Sequence, residues 1–120
     1  MKIIDIKTQD IRFPTSKDNL GTDAVHVDCD YSATYVTIFT DQKDLTGIGL
    51  TFTIGKGNDL CCTVIEYFKE FIIGKNIEEI ERDIASIWEK ITNHSQLRWV
   101  GPQKGVTHLA AAAFFNAIWD

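Results

Sequence analysis

Three carboxylates and a histidine lie close together in the second half of one polar stretch, residues 15–30, and a tyrosine follows it. In order they are Asp23, His26, Asp28, Asp30 and Tyr31. Carboxylate and imidazole groups at this irregular spacing could bind a metal ion or the hydroxyls of a polyol. The alternative is an ordinary solvated loop. A loop of this length is usually either functional or disordered, and the residues alone leave both interpretations open.

Two lysines precede predicted helices, where they could bind an anion. Lys56 lies between Gly55 and Gly57, and Lys104 lies in the glycine- and proline-containing segment 101–105. Neither segment is a P-loop, which requires G-x-x-x-x-G-K-[ST]. A lysine at a helix N-terminus opposes the helix dipole, so an anionic ligand would compensate the charge of Lys104. A solvated loop lysine is the alternative at Lys104, and a flexible strand-to-helix turn is the alternative at Lys56.

The sequence lacks the signatures of several other kinds of site. It has no Ser/His/Asp order, no HExxH and no CxxC. Its three cysteines, Cys29, Cys61 and Cys62, are odd in number and include an adjacent pair, which is not the pattern of a disulfide framework. A reducing cytoplasm is therefore the simplest compartment. Cys61 is predicted to be a small core residue.

Length and charge narrow the class of protein further. The 120 residues give room for one domain. The net charge is -5, from 12 Lys+Arg and 17 Asp+Glu, which disfavours a nucleic-acid or anionic-membrane surface. No apolar run approaches the ~20 residues that a membrane span needs. We therefore expect a globular domain with neither a nucleic-acid nor a membrane partner.

The first half of the chain predicts a three-stranded antiparallel meander. Alternating apolar and charged residues predict a strand over residues 3–8 that extends toward Phe13, and β-branched and aromatic residues predict a second over 31–40. The third run alternates small residues with the apolar residues Ile48, Leu50, Phe52 and Ile54. We expect a sheet with one apolar face, which another layer must cover.

Three helices are predicted to supply this cover. The first is predicted to be capped at Asn58 and to end at Gly74. Asn76 with Glu79 three residues later predicts a capping box at the start of the second, whose apolar stripe continues to Ile91. The third begins at about residue 104 or 105.

The third helix is apolar around nearly its whole circumference. Its large apolar residues are Leu109, Phe114, Phe115, Ile118 and Trp119. Such a helix is normally buried, and we expect three strands and two helices to be too few to surround it. The carboxylate of Asp120 also opposes the helix dipole. Both features predict that the natural protein continues past residue 120; the alternative is a complete domain that buries this helix in an oligomer.

Several segments, in order along nearly the whole chain, carry a resemblance to one family. They are residues 12–16, 28–33, 50–58, 95–102, 104–106 and 116–120. In these segments the chain resembles the L-fuconate dehydratases, which belong to the mandelate racemase subgroup of the enolase superfamily. The order strand-strand-strand-helix-helix-helix is also that of the N-terminal capping domain of this superfamily.

The resemblance implies an α+β fold in which a three-stranded antiparallel meander is followed by three helices. The (β/α)7β barrel of the superfamily is absent from this chain. Residues 1–104 would form the capping domain, with a sheet over 2–54, helices over 58–91 and a loop over 92–104. Residues 105–120 would form a helix leading toward the missing barrel.

The implied activity is that of a hydro-lyase that removes water from a sugar acid and gives a 2-keto-3-deoxy acid. In such enzymes the barrel carries the carboxylates that bind Mg2+ and the acid and base, while the capping domain closes over the barrel mouth and contacts the distal polyol. No catalytic residue and no metal ligand is therefore expected in residues 1–120. The chain alone is expected to be inactive.

Five positions match the family's substrate-contacting residues. In this resemblance a carboxylate and a phenol suit sugar hydroxyls, and an ammonium group suits the acid. The matches are Gly21, Thr22 and Asp23 in the first specificity loop, Tyr31 after it, and Lys104 at the helix entry.

The chain departs from the family at Cys29, where proline is usual, and at Gln103, where glutamate is frequent. A function of another class stays open, namely a stand-alone ligand- or protein-binding module that has lost the barrel. The partners that the resemblance implies are an acid-sugar substrate and a C-terminal barrel domain. The preferred sugar acid and the formation of a homo-oligomer are left open.

Overall fold

A computed structural model describes residues 1–100 and 105–120. Its sheet consists of β1 (Ile3–Ile11), β2 (Ser32–Thr40) and β3 (Thr46–Thr53). The strands are antiparallel and adjacent in the order β1-β2-β3. The predicted meander is therefore confirmed.

Four α-helices follow in the described part of the chain. They are α1 (Asn58–Ile72), α2 (Ile77–Arg82), α3 (Ile84–Thr92) and α4 (Val106–Trp119). The single second helix that we predicted is divided into α2 and α3 at Asp83, which has φ -107° and ψ 14°. The capping box of Asn76 and Glu79 is confirmed, and Gly74 follows the end of α1 with a φ of +82°.

The sheet has an inner face, packed against the helices, and an outer face, exposed to solvent. Val36 and Ile38 of β2 are buried on the inner face. In β3, the expectation that the apolar residues cover the core is wrong, because Gly49, Thr51 and Thr53 are the buried ones. The residues that lie outward, with exposures between 43% and 52%, are Ile48, Leu50, Phe52 and Ile54.

The small residues of β3 lie inward because α4 lies directly over them. A Cβ atom added at Gly47 would lie 2.0 Å from the carbonyl oxygen of Ala117, and one added at Gly49 would lie 2.1 Å from that of Ala113. No side chain fits in this space. The close approach of two backbones therefore decides which face of β3 is covered.

The enclosure of α4 is more complete than its sequence predicts. Ala110, Ala113 and Ala117 are buried, and Phe114 packs edge-on against Phe68 of α1 with ring centroids 5.4 Å apart. The residues of α4 that stay exposed form one strip: Leu109, Ala112, Asn116 and Trp119. The expectation that three strands and two helices cannot surround this helix is wrong, since its alanines allow the sheet and α1 to approach closely.

The end of α4 is joined to the sheet through Asp120. One carboxylate oxygen, Oδ2, accepts a hydrogen bond of 2.9 Å from the amide of Ile48. This contact satisfies an outward amide of β3, an edge strand of the sheet. The carboxylate that opposes the helix dipole thus has a partner within the fold.

The separation of residues 1–104 from a connecting helix over 105–120 stays a prediction, although α4 packs into the same core as the other elements. Within the described ranges, no helix is both long enough and apolar enough to cross a membrane.

Candidate functional site

Two connections meet at one end of the sheet, where β1 ends, β2 begins and β3 ends. The first is the long loop (residues 15–30), and the second is the glycine turn (residues 55–57) between β3 and α1. The amide of Asp30 donates a 3.1 Å hydrogen bond to the carbonyl of Ile54, which joins the end of the long loop to the start of the glycine turn. The segments predicted to contact a ligand are therefore neighbours in space.

Asn58 supports this end of the sheet through hydrogen bonds of its side chain. Its side chain is fully buried, and its amide nitrogen donates to the carboxylate of Asp10 at 2.8 Å and to the carbonyls of Ile11 and Ala33 at 3.2 Å. Its amide oxygen accepts from the hydroxyl of Thr53. The prediction of Asn58 as a helix cap is wrong: Gly57 holds the cap position, and Asn58 connects all three strands to α1.

An ion pair lies beside Asn58. The guanidinium of Arg12 binds the carboxylate of Asp10 through two nitrogens, at 2.9 and 2.8 Å, and reaches Asp59 of α1 at 3.3 Å. Arg12 holds the pKa of the Asp10 carboxyl below its ordinary value, and the hydrogen bond from Asn58 adds to this effect. The end of β1 is thereby fixed to the start of α1.

The base of the long loop is closed by side-chain hydrogen bonds. The hydroxyl and amide of Ser16 donate to Asp30 at 2.7 and 3.1 Å, which lowers the pKa of the Asp30 carboxyl. The hydroxyl of Thr15 donates to the carbonyl of Cys29 at 3.0 Å and accepts from the amide of Tyr31 at 3.0 Å. Cys29 is buried in this closure.

The tip of the long loop (residues 21–26) is held together by its own hydrogen bonds. Asp23 Oδ1 accepts from the amides of His26 and Val25 at 2.7 and 2.8 Å, and these bonds lower the pKa of the Asp23 carboxyl. The imidazole Nδ1 of His26 lies 3.3 Å from the same carboxylate. The hydroxyl of Thr22 donates to the carbonyl of Asn19 at 3.1 Å. Asp23 and His26 are both largely exposed, so the tip presents polar groups to solvent.

Tyr31 connects the tip of the loop to the sheet. Its hydroxyl donates a 2.6 Å hydrogen bond to the carbonyl of Gly21. Its ring stacks on Phe52 of β3, with centroids 5.7 Å apart and an interplanar angle of 27°. The structure thus brings two of the predicted site residues, Gly21 and Tyr31, into direct contact.

The donor groups of this end of the molecule do not fit a Mg2+ site. No group of three or more His, Cys, Asp or Glu side chains in residues 1–100 and 105–120 is placed to hold a metal ion. The carboxylates of Asp10, Asp23 and Asp30 already accept hydrogen bonds from the protein. The arrangement can accept hydrogen bonds from the hydroxyl groups of a polyol and donate hydrogen bonds to them.

The predicted site residues thus have different outcomes. Gly21, Thr22, Asp23 and Tyr31 lie in one loop and its anchor, whereas Lys104 lies outside the described residues. Their contact with substrate stays a prediction. Sequence reasoning missed the supporting residues Asn58, Asp10 and Phe52. The only signal for Asn58 was an amide next to Asp59 at a helix start, which is equally typical of a cap.

The meander, its covering helices and the two loops at one sheet end define a class of domain. No protein-family model matches the chain. The human mitochondrial enolase superfamily member 1 has a crystal structure with a TM-score of 0.91 and 43% identity over 99% of this chain. L-talarate dehydratase from Polaromonas sp. JS666, solved with Mg and L-glucarate, has a TM-score of 0.68 and 18% identity over 98% of the chain. The chain has the fold of the N-terminal capping domain of the enolase superfamily.

Two curated relatives make the likeness more particular. Mitochondrial enolase superfamily member 1 from Xenopus laevis is 47% identical over 120 residues, 99% of this chain. L-galactonate dehydratase from Hypocrea jecorina is 45% identical over 118 residues, 98% of this chain. The chain spans only 27% and 26% of the lengths of these relatives. The similarity therefore extends over the capping domain and leaves the remaining three quarters of each relative uncompared.

Proposed function

We propose that residues 1–120 are the substrate-capping and specificity domain of a sugar-acid dehydratase, a hydro-lyase that acts on L-fuconate. The observation that carries the proposal is the 45% identity to L-galactonate dehydratase along 98% of the chain. The family resemblance supports L-fuconate as the sugar acid. The described residues bring together hydrogen-bonding groups, and the resemblance assigns the acid and base to a barrel domain, so the chain alone is proposed to be inactive.

In this proposal the chain binds and orients the substrate. The exposed carboxylate of Asp23 accepts hydrogen bonds from sugar hydroxyls, and Thr22 contributes its hydroxyl beside it. The ammonium group of Lys104 pairs with the carboxylate of the acid. The long loop excludes water from the mouth of the barrel when substrate is bound.

The metal requirement is proposed to lie outside this chain. L-talarate dehydratase was solved with Mg, and the described carboxylates here do not fit such a site. Mg2+ would therefore be held by a barrel domain and supply electrostatic stabilisation of the enolate there.

A chimera tests the proposal directly. Residues 1–120 replace the matching quarter of the Hypocrea jecorina L-galactonate dehydratase, and formation of 2-keto-3-deoxy acid is measured with Mg2+. We expect turnover, and a ratio of kcat/KM for L-fuconate over L-galactonate that is about tenfold or more above that of the parent enzyme. A folded chimera with the parent's ratio would contradict the specificity role, and turnover by the pure 120-residue chain would contradict its inactivity.

Lys104→Met in the chimera isolates the predicted acid-binding contact. Loss of a charged hydrogen bond costs roughly 1.5–3 kcal/mol, so kcat/KM should fall by one to two decades. Lys56→Met is the matched control, since Lys56 also lies in a glycine-containing segment ahead of a helix. Equal effects of the two substitutions would show that Lys104 has no specific role.

A stand-alone binding module is the second candidate. The observation that favours it is the closed core, in which α4 is enclosed by the sheet and the other helices. Gel filtration and circular dichroism of the 120-residue chain distinguish the two. A stable, soluble monomer favours the module, whereas aggregation favours a domain that requires a barrel.

We further propose a reducing cytoplasmic location. The three cysteines are free, and burial raises the pKa of the Cys61 thiol to about 11, which supports a core role for Cys61 rather than a reactive one.

A homo-oligomer of the whole enzyme stays a proposal, supported only by the exposed apolar residues of the outer face.

A further inference from the structure

The contact of Tyr31 with Gly21 occupies both groups that the family resemblance assigns to substrate. The phenolic hydroxyl donates its hydrogen to the Gly21 carbonyl at 2.6 Å, a short distance for this kind of bond. Tyr31 is 37% exposed, and its ring stacks on Phe52. The hydroxyl hydrogen is therefore already used within the protein.

Gly21 is shaped for this contact. Its φ of +73° lies in the left-handed region, and a Cβ atom there would lie 1.9 Å from Cε2 of the Tyr31 ring. Both the backbone conformation and the packed ring exclude a side chain at this position. The tip of the loop can rest against Tyr31 only because residue 21 is glycine.

The residues that follow Gly21 are held together by their own hydrogen bonds. Asp23 donates its amide to the carbonyl of His26 at 3.0 Å and accepts the amide of His26 at 2.7 Å, so residues 23–26 form one hydrogen-bonded unit. Other attachments of the loop lie at its base, through Thr15, Ser16 and Asp30, and the thiol of Cys29 donates to the carbonyl of His26 at 3.6 Å. Tyr31 ties the tip directly to the sheet, because its hydroxyl binds the Gly21 carbonyl and its ring stacks on Phe52 of β3.

We infer that Tyr31 is a positioning residue: it holds the loop tip through the Gly21 carbonyl and Phe52, and so sets where Thr22 and Asp23 meet a sugar acid. This inference rests on the proposed function for its consequence in catalysis. It assigns Tyr31 a different role from the substrate ligand that the resemblance implies. The loop is pre-organised before substrate binds, which reduces the ordering cost of binding.

Hydrogen exchange at the long loop in the folded chimera tests the positioning role without any assay of activity. Tyr31→Phe should speed exchange of the hydrogen-bonded amides of Asp23 and His26 by about three- to tenfold, the factor expected for one neutral hydrogen bond. Tyr67→Phe is the matched control, because Tyr67 is 56% exposed on α1. Unchanged exchange in Tyr31→Phe, or an equal change in Tyr67→Phe, would overturn the inference.

A second pair of variants tests the packing between the two residues. Gly21→Ala should speed loop exchange by about tenfold more in the presence of Tyr31 than in a Tyr31→Ala background, because only the first contains the clash. An equal effect in both backgrounds would overturn the packing contact.

The catalytic consequence is measured separately, in the chimera. Tyr31→Phe should raise KM for the sugar acid about three- to tenfold with kcat nearly unchanged. Faster loop exchange together with an unchanged KM would overturn the specificity consequence. If the chimera has no dehydratase activity, the proposed function fails, while the exchange measurements still decide whether Tyr31 positions the loop.

Discussion

In β3 the buried face is less apolar than the exposed face, which is the reverse of the usual arrangement. The inner face of β3 carries glycine and threonine and is buried under α4, whereas its outer face carries Ile48, Leu50 and Phe52 and is exposed. In β2 the order is the ordinary one, with Val36 and Ile38 inside. The difference shows that the closeness of the covering helix, and not the apolar character of the strand, decides which face of β3 is buried.

The largest expected effect comes from adding a side chain to the inner face. Gly49→Val would place its Cβ 2.1 Å from the carbonyl of Ala113 and 2.5 Å from the amide of Ala117, both backbone atoms of α4. Overpacking of this kind costs 1–3 kcal/mol and occasionally more, and we expect at least about 3 kcal/mol in the free energy of unfolding measured with urea. Leu50→Val on the adjacent outer position is the control. A loss below 1 kcal/mol for Gly49→Val would show that α4 does not lie against β3.

A smaller effect is expected where the inner face ends at the loops. Asn58→Ala removes an amide that serves Asp10, Ile11, Ala33 and Thr53, and leaves buried groups without partners. We expect a loss of about 2–3 kcal/mol in the free energy of unfolding. Thr63→Ala, on the exposed side of α1, should cost no more than about 0.5 kcal/mol. Similar values for the two variants would contradict the supporting role of Asn58.

The same comparison shows how far the sequence could predict this fold. Alternation and β-branched residues predicted all three strands, and the capping box of Asn76 and Glu79 predicted the start of α2. Alternation predicts which residues of a strand share a face, but it does not predict which of the two faces is covered. For β3 that choice depends on a contact between Gly49 and Ala113, which are 64 positions apart and have no local signature.

The candidate site, too, could be predicted only in part from the sequence. Its loop was predicted from polarity and length, and Tyr31 from the family resemblance. The contacts that fix it have no local signature, whether they join distant positions, as Asn58 does with Asp10, or the two ends of the loop, as Tyr31 does with Gly21. An asparagine at a helix start is typical of a cap in sequence. The backbone groups that the side chain of Asn58 binds, however, belong to two strands and not to its own helix.

Asp10, Asp23 and Asp30 all have lowered carboxyl pKa values, so each should add to the pH dependence of stability, and the ion-paired carboxylate of Asp10 is expected to account for a measurable part of it. The folded pKa of Asp10 is lowered by Arg12, so its stabilising contribution is present above the unfolded pKa of about 3.8 and is lost as pH falls through the folded value. The contribution is small, less than about 1 kcal/mol, because the pair is partly exposed. Urea unfolding between pH 5 and pH 3 should show a weaker pH dependence in Asp10→Asn than in the natural sequence. Asp28→Asn controls for the loss of one charge, and the same weakening there would contradict the assignment to Asp10.

The smallest effect on stability is expected on the outer face itself. Leu50 is 43% exposed and lies opposite Tyr35 on β2. Threonine suits an exposed strand position, so Leu50→Thr should change the free energy of unfolding by no more than about 0.5 kcal/mol. The reciprocal change, Thr51→Leu, places a larger side chain on the inner face, where Thr51 is 5% exposed, and should cost about 1–3 kcal/mol.

The pair Leu50→Thr and Thr51→Leu therefore sharpens the comparison between the faces at two consecutive residues. If the outer face is free in solution, only the second substitution lowers stability, and the midpoint of thermal unfolding is independent of protein concentration. If a second copy of the chain covers the outer face, Leu50→Thr lowers the midpoint as well, and the midpoint of the natural sequence rises with concentration, because association stabilises only the folded state. Measuring both variants at two concentrations a hundredfold apart distinguishes these cases. Equal losses from the two substitutions at every concentration would contradict the assignment of inner and outer faces to β3.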